Sequence, residues 1–174
     1  MKKVVISVGQ FIPRKGFDVL LNAWKNCNKE YDLYIIGAEP TAEYIDIKNR
    51  LKLDNVYFEG FKTKEILKEY YRAADLFVLP TREDIWGLVV NEAMANGLPV
   101  ITTSRCVAGL ELVEDGVNGF IVPTDDSTML SMRINEVLEN DSLRYKMAIE
   151  SLKRIRPYTI ENMSKIHWKI LNLT

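Results

Sequence analysis

Two stretches of the 174-residue sequence combine glycines with charged side chains in a pattern that suits a phosphorylated ligand. The first begins at Gly9, ends at Gly16 and carries two adjacent cations, Arg14 and Lys15. It precedes a helical pattern, so free helix N–H groups, the helix dipole and Lys15 could together hold a phosphate. Its spacing differs from the G-x-G-x-x-G fingerprint and from the P-loop. The alternative is that both glycines form turns and both cations are solvated.

The second stretch surrounds the start of a helix predicted over residues 88–96. Asp84 and Glu92 flank this start, and Gly87 just before it lets a ligand approach the backbone closely. The first-turn N–H groups could hold a phosphate or sugar hydroxyls. Glu92 could point toward the same crevice and accept hydrogen bonds from vicinal hydroxyls such as those of a ribose, and Asp84 could serve a second polyol. The alternative is that Glu83 and Asp84 cap the helix while Glu92 is a surface acid.

Both stretches follow short apolar, β-branched runs, which predict strands buried on two faces. Six such runs occur, at residues 4–8, 33–36, 56–58, 76–79, 100–102 and 120–122. Helical patterns separate them, and alternating strands and helices with short connections predict a Rossmann-like, doubly wound α/β fold. We expect a mainly parallel six-stranded sheet with helices on both faces. Ligands bind such sheets at the carboxyl ends of the strands, where both stretches lie.

The sequence after the last predicted strand is helical. Asp125 or Asp126 can cap one helix and Asp141 can cap another. A last amphipathic helix is predicted at about residues 157–174. We therefore expect one domain over the whole chain, 1–174, with a Rossmann-like core at about residues 1–155 and a helical C-terminal tail.

Composition narrows the class of protein. Lys plus Arg (23) nearly balance Asp plus Glu (24), so the overall attraction expected of a nucleic-acid or anionic-lipid binder is missing. Cys27, Cys106 and the single histidine, His167, are too few and too dispersed for a structural zinc site or a disulfide framework. The apolar run near the N-terminus is too short for a signal or spanning segment. We expect a cytoplasmic protein.

Six motifs follow one another along nearly the whole chain, at residues 9–16, 36–37, 56–60, 74–80, 84–101 and 114–122. Together they resemble the carboxy-terminal, donor-binding domain of retaining GT-B glycosyltransferases of family 4, the glycosyl transferases group 1 class. The resemblance implies one half of a GT-B fold, with the amino-terminal, acceptor-binding domain absent. On this basis the chain is a piece of a larger enzyme, and we expect it to bind donor but to transfer sugar poorly by itself.

The resemblance also implies roles for individual acids and cations. Glu92 matches the acid that holds the ribose of the nucleotide, and Asp84 stands where a glutamate usually contacts the transferred sugar. Lys15 matches a lysine that clamps the diphosphate. Gln10 stands where an arginine is usual, and Arg14 could supply that charge.

The remaining implied donor-binding positions lie in the same loops. Backbone amides around Trp86, Gly87 and Leu88 would bind the sugar and the distal phosphate, and the loop of Gly60, Phe61 and Lys62 would meet the base. The full set of candidates for donor binding is Gly9, Gln10, Arg14, Lys15, Gly16, Gly60, Phe61, Lys62, Glu83, Asp84, Ile85, Trp86, Gly87, Leu88 and Glu92.

The implied reaction is transfer of a hexosyl unit from a nucleoside-diphosphate sugar to an acceptor hydroxyl with retention, in polysaccharide or glycolipid biosynthesis. UDP is the expectation at the level of the family, Lys15 and Asp84 are the candidate catalytic residues, and no metal or other cofactor is expected. The intact enzyme could work at the inner face of the membrane, and no nucleic acid is expected as a partner. Alternatives are a non-catalytic nucleotide-binding or partner-binding module and a GT-B sugar-nucleotide epimerase.

The last helix has two interpretations as well. Its apolar residues could form a contact face for the absent amino-terminal domain, or they could pack on their own domain. The residues concerned are Ile160, Met163, Ile170 and Leu171.

Overall fold

A six-stranded sheet forms the centre of the computed structural model, which describes residues 2–172. Its strands are β1 (Val4–Val8), β2 (Asp32–Ile36), β3 (Val56–Glu59), β4 (Leu76–Leu79), β5 (Val100–Thr103) and β6 (Gly119–Val122). They lie in the order β3-β2-β1-β4-β5-β6, and each neighbouring pair is parallel. This order reverses direction between β1 and β4, which is the doubly wound arrangement that the sequence predicts.

Eight α-helices connect and extend the strands within the described residues. They are α1 (Phe17–Trp24), α2 (Ala42–Arg50), α3 (Lys64–Ala73), α4 (Leu88–Ala95), α5 (Val107–Leu112), α6 (Ser127–Glu139), α7 (Asp141–Ile155) and α8 (Ile160–Leu171). The sequence analysis did not single out α2 or α5. The reason is that α2 buries only Tyr44 and Ile47 and α5 has only six residues, so neither shows a long apolar stripe.

Helices cover both faces of the sheet, as predicted. Along β4, Leu76 and Val78 belong to one apolar core, shared with α1, α2 and α6. Phe77 and Leu79 belong to a second core, shared with α3, α4 and α5. Because successive residues of a strand point to opposite faces, a strand covered on both faces is mainly apolar on both sides. This explains the largely apolar runs of the sequence. The buried polar exceptions in the strands are hydroxyl residues whose side chains donate hydrogen bonds to backbone carbonyls, namely Ser7, Thr102 and Thr103.

The caps of the C-terminal helices confirm one prediction and correct another. Asp126 caps α6, since its side chain accepts a hydrogen bond from Met129 N at 2.8 Å. The prediction that Asp141 caps the next helix is wrong. Asn140 is the cap and accepts from Leu143 N at 3.0 Å, while Asp141 is the first helical residue and its carboxylate binds Lys3 instead.

Helix α8 begins where the sequence predicts, after Thr159, whose side chain accepts from Asn162 N. No residue within its described range, Ile160–Leu171, is buried. Its apolar residues therefore do not pack into the core of their own domain. Positions 173 and 174 of the predicted helix lie outside the described residues. None of the helices within residues 2–172 has the length and apolar character needed to cross a membrane.

Candidate functional site

The two charged loops meet at the carboxyl edge of the sheet, between β1 and β4, where the strand order reverses. The carbonyl oxygen of Arg14 accepts hydrogen bonds from Arg82 N at 2.8 Å and from Thr81 Oγ1 at 2.9 Å. Thr81 is fully buried, and its own carbonyl accepts from Thr103 Oγ1 at 2.6 Å. These bonds fix the loop after β1 onto the loop after β4, and the second loop onto β5.

Gly16 makes this close approach possible. Its φ of 68° is in the left-handed region, and a Cβ at this position would lie 2.1 Å from the carbonyl oxygen of Pro80. Gly9 also lies near the site, since a Cβ there would be 3.4 Å from Lys15 Cδ. Both glycines are therefore closely packed against residues of the site. A glycine that only formed a turn would not need such neighbours.

Lys15 and Asp84 form an ion pair at the centre of the two loops. Lys15 Nζ lies 2.6 Å from Asp84 Oδ2, and the side chains are only 14% and 11% exposed. The backbone of Asp84 is held as well, because its N–H donates to Arg105 O at 3.0 Å and its carbonyl accepts from Val107 N at 3.2 Å. Lys15 is therefore not a solvated cation, and the carboxylate of Asp84 is its partner in the ion pair.

The start of α4 has no acidic cap. Among residues 2–172 no side chain caps this helix, and its N-cap is Gly87, with a φ of 95°. A Cβ at Gly87 would lie 3.0 Å from Cys106 Sγ, so the glycine also permits close packing. Ile85 and Leu88 on either side are 84% and 68% exposed, and Trp86 Nε1 donates to Asn91 Oδ1 at 3.0 Å. The candidate amides therefore lie at an open helix start with an apolar rim.

The side chain of Arg14 contacts the loop after β4. It is exposed, and its Nη1 donates to the carbonyl oxygen of Glu83 at 3.1 Å, one residue before the partner of Lys15. Gln10 and Glu83 are exposed as well. That Arg14 compensates for the missing arginine at position 10 stays a prediction.

Arg82 is a structural cation that sequence reasoning missed. It forms two hydrogen bonds with the carboxylate of Asp18, at 2.9 and 2.6 Å, and one with Asp125 at 2.7 Å. Its Nη1 also donates to the carbonyl of Pro13. The neighbouring acids, Asp18 first, raise the pKa of Arg82 above its usual value. No local sequence signal could identify these partners, because Asp18 and Asp125 are 64 and 43 residues away.

Glu92 lies in α4 with an exposed side chain that one buried donor restrains. Tyr71 of α3 is only 3% exposed, and its hydroxyl donates to Glu92 Oε2 at 3.0 Å. Burial, and then the charge of Glu92, raise the pKa of Tyr71, so this hydroxyl keeps its proton. No local sequence signal identifies this contact, because Tyr71 and Glu92 are 21 residues apart.

The third candidate loop follows β3, at the edge of the sheet. Phe61 is 81% exposed, and Lys62 Nζ forms an ion pair with Glu59 at 2.8 Å. A Cβ at Gly60 would lie 2.7 Å from Glu39 Oε1. Among the interactions of residues 2–172, none links this loop directly to the Lys15–Asp84 pair.

A groove of ≈ 800 Å³ lies between the start of α4 and helix α8. Trp86 and Leu88 line one side, and Ile160 and Met163 line the other. Within the described part of the chain, no three His, Cys, Asp or Glu side chains come together in a way that could hold a metal ion.

The loops after β1 and β4 meet at the switch point of a doubly wound sheet, which is the place where domains of this class bind their ligands. Residues 1–154 match the family described as "Glycosyl transferases group 1". The chain belongs to this family.

Named relatives agree with this assignment. An uncharacterized glycosyltransferase of Haemophilus influenzae is 31% identical over 96% of this chain and 48% of its own length. The lipopolysaccharide core biosynthesis glycosyltransferase LpsE of Rhizobium meliloti is 30% identical over 83% of this chain and 42% of its own length. The crystal structure of Anabaena HepE in complex with UDP has a TM-score of 0.90 and 25% identity, over 99% of this chain and 50% of that one. The chain thus spans about half the length of these relatives, and its sheet is one half of a GT-B fold.

Proposed function

We propose that this chain is the donor-binding half of a retaining glycosyltransferase, which moves a hexosyl unit from a UDP-sugar to an acceptor hydroxyl. The observation that carries the proposal is the shielded Lys15–Asp84 pair at the switch point of the sheet. The UDP complex of HepE supports a uridine nucleotide as the donor. The similarity to LpsE, a glycosyltransferase of lipopolysaccharide core biosynthesis, supports a product in the class of polysaccharides or glycolipids.

Lys15 supplies the central positive charge in this proposal. An ammonium group has three N–H donors, and Asp84 takes one of them, so two remain for diphosphate oxygens. In the transfer, the bond between the anomeric carbon and the diphosphate oxygen breaks and its electron pair stays on that oxygen. The acceptor oxygen bonds to the same carbon, and its proton passes to the departing diphosphate. Lys15 and the amides of Trp86, Gly87 and Leu88 stabilise the charge on the leaving diphosphate, so we expect no metal requirement.

Glu92 and Asp84 contact different sugars of the donor in this proposal. Glu92 accepts hydrogen bonds from the ribose hydroxyls, and Asp84, one methylene shorter than the usual glutamate, lies beside the transferred hexose while it orients Lys15. The exposed ring of Phe61 is available to stack on the base. Gly9 and Gly16 allow the diphosphate to approach the backbone of the first loop.

An amino-terminal acceptor domain completes the enzyme in this proposal. The half-length coverage of the relatives and helix α8, in which no described residue is buried, support it. That domain would cover α8 and supply the acceptor site, so this chain alone binds donor and transfers sugar poorly. The two free, buried cysteines agree with a reducing compartment, and we place the reaction in the cytoplasm, at the inner membrane face for the intact enzyme.

Calorimetric titration of the purified chain with UDP, GDP and ADP tests the proposal. We expect saturable binding of UDP that is unchanged by a metal chelator. Lys15→Ala should weaken UDP binding by about 10- to 100-fold, because charge-assisted hydrogen bonds to the diphosphate are lost. Lys25→Ala is the matched control, since Lys25 is an exposed lysine at the opposite end of α1. Asp84→Asn should leave UDP at least as tightly bound, because Lys15 then has no competing anion.

Failure to bind any of the three nucleotides, or equal effects of Lys15→Ala and Lys25→Ala, would count against the donor site. If UDP binds but sugar transfer is absent after the amino-terminal half of a relative is restored, the non-catalytic module is the better description.

A further inference from the structure

The contact between Tyr71 and Glu92 joins two helices that are separate in sequence. Tyr71 lies near the end of α3, with its ring packed on Phe77 of β4 at 6.0 Å between ring centres. Its hydroxyl is the one polar atom of this side chain, and it reaches the edge of the core to donate to Glu92 Oε2 at 3.0 Å. A rigid, buried ring thus presents a single donor to a carboxylate that is otherwise exposed.

The contact limits where the carboxylate of Glu92 can lie. A surface glutamate has three side-chain torsions and samples several staggered rotamers. A tyrosine ring that is 3% exposed cannot follow such motion, so the hydrogen bond selects the rotamers that bring Oε2 to Tyr71. A carboxylate has about four lone-pair sites, and one hydroxyl donor takes only one. Oε1 and the other lone pair of Oε2 therefore stay available for hydroxyl groups of a ligand.

The Tyr71 hydroxyl keeps its proton, because burial raises its pKa, and the side chain is therefore neutral. The hydroxyl orients the carboxylate without cancelling its charge, in contrast to the Lys15–Asp84 pair. A charged acceptor with free lone pairs is what two vicinal hydroxyls require.

We propose that Tyr71 is a positioning residue, which holds the Glu92 carboxylate to accept both ribose hydroxyls and thereby sets a preference for ribonucleotides over nucleotides that lack them. The inference rests on the proposed function, in which Glu92 contacts the ribose. Tyr71 itself touches neither the nucleotide nor the sugar. Its effect should therefore appear only with ligands that carry the hydroxyls.

Calorimetry with UDP and 2′,3′-dideoxy-UDP tests this role in the wild-type chain, Tyr71→Phe, Glu92→Gln and the double variant. We expect the wild type to prefer UDP. Tyr71→Phe should weaken UDP binding about fivefold, as for loss of one hydrogen bond that orients a charged acceptor, and should leave dideoxy-UDP unchanged. In the Glu92→Gln background, the same substitution should add little for either ligand, since the carboxylate that Tyr71 positions has been replaced by a neutral amide.

Tyr70→Phe is the matched control. Tyr70 is the preceding residue of α3, and its ring packs on Tyr34, outside the contact with Glu92. This variant loses the same atom and should keep the wild-type preference. Circular dichroism of each variant checks that α3 and α4 remain folded.

The possible outcomes distinguish the positioning role of Tyr71 from the ribose contact of Glu92. Equal weakening of UDP and dideoxy-UDP by Tyr71→Phe, or no effect on either, overturns the positioning role while the donor site stands. If the wild type shows no preference, or if Glu92→Gln leaves the preference intact, the ribose contact of Glu92 is wrong and the role of Tyr71 falls with it.

Discussion

Replacement of Gly16 by alanine measures how closely the two loops of the site are packed. The new Cβ would lie 2.1 Å from the carbonyl oxygen of Pro80, where ordinary contacts begin at 3.4 Å. The loops after β1 and β4 would therefore have to separate by about 1 Å. This separation would strain the hydrogen bonds that join Thr81 and Arg82 to the carbonyl of Arg14.

The size of the effect follows from two contributions. An alanine at a φ of 68° costs about 1–2 kcal/mol because its Cβ crowds the backbone in the left-handed region. Overpacking against Pro80 adds about 1–3 kcal/mol. Gly116 separates the two contributions, because its φ is 77° but no described atom lies within 4 Å of the position of its Cβ. Gly116→Ala should therefore show the first contribution alone.

Urea unfolding of both variants, followed by circular dichroism and tryptophan fluorescence, gives the two free energies of unfolding. We expect Gly16→Ala to lose about 1–3 kcal/mol more than Gly116→Ala. UDP affinity should fall in Gly16→Ala alone, since only that change moves the loop that we propose to bind the diphosphate. Equal losses of stability in the two variants would refute the reasoning, because they would mean that the loops have room for a methyl group.

Two further predictions concern the core and the C-terminal helix. Burial raises the pKa of Cys27 to about 12 from its ordinary 9.0, so the unfolded chain loses this proton at lower pH than the folded chain. The stability due to the protonated thiol is complete below pH 9 and is lost as the pH rises toward 12, by about 2 kcal/mol at pH ~10.5. Urea titrations across this range should show a shallower decline for Cys27→Ala, and identical slopes would contradict the assignment. Because no residue of α8 is buried within Ile160–Leu171, a chain ending at Arg156 should lose less than about 1 kcal/mol of unfolding free energy. A loss above about 2 kcal/mol would show that α8 packs on this domain.

Local pattern was sufficient to predict all six strands and six of the eight described helices of this protein. Strands covered on both faces are mainly apolar on both sides, and the connections between parallel strands are usually helices, so six largely apolar runs identify the sheet. The carboxyl ends of those strands then indicate the loops of residues 9–16 and 80–87 as the site. Helix α2 was missed because it has no long apolar stripe, and α5 because it has only six residues. The cap at Asn140 was missed because the adjacent Asp141 suits that position equally well.

The pairing of charged groups within the site depended on the folded chain. Lys15 and Asp84 are 69 residues apart. The sequence also offers Glu83, next to Asp84, and Asp18, close to Lys15, as acidic partners for this lysine. Arg82 is a cation near the site and could bind a phosphate, but it forms ion pairs with Asp18 and Asp125 instead. Hydrogen bonds between side chains require positions accurate to a few tenths of an ångström, and such positions follow from the packing of whole elements. Residue types and spacing could therefore indicate where the site lies, whereas the contacts of each side chain emerge only when the strands and helices are packed together.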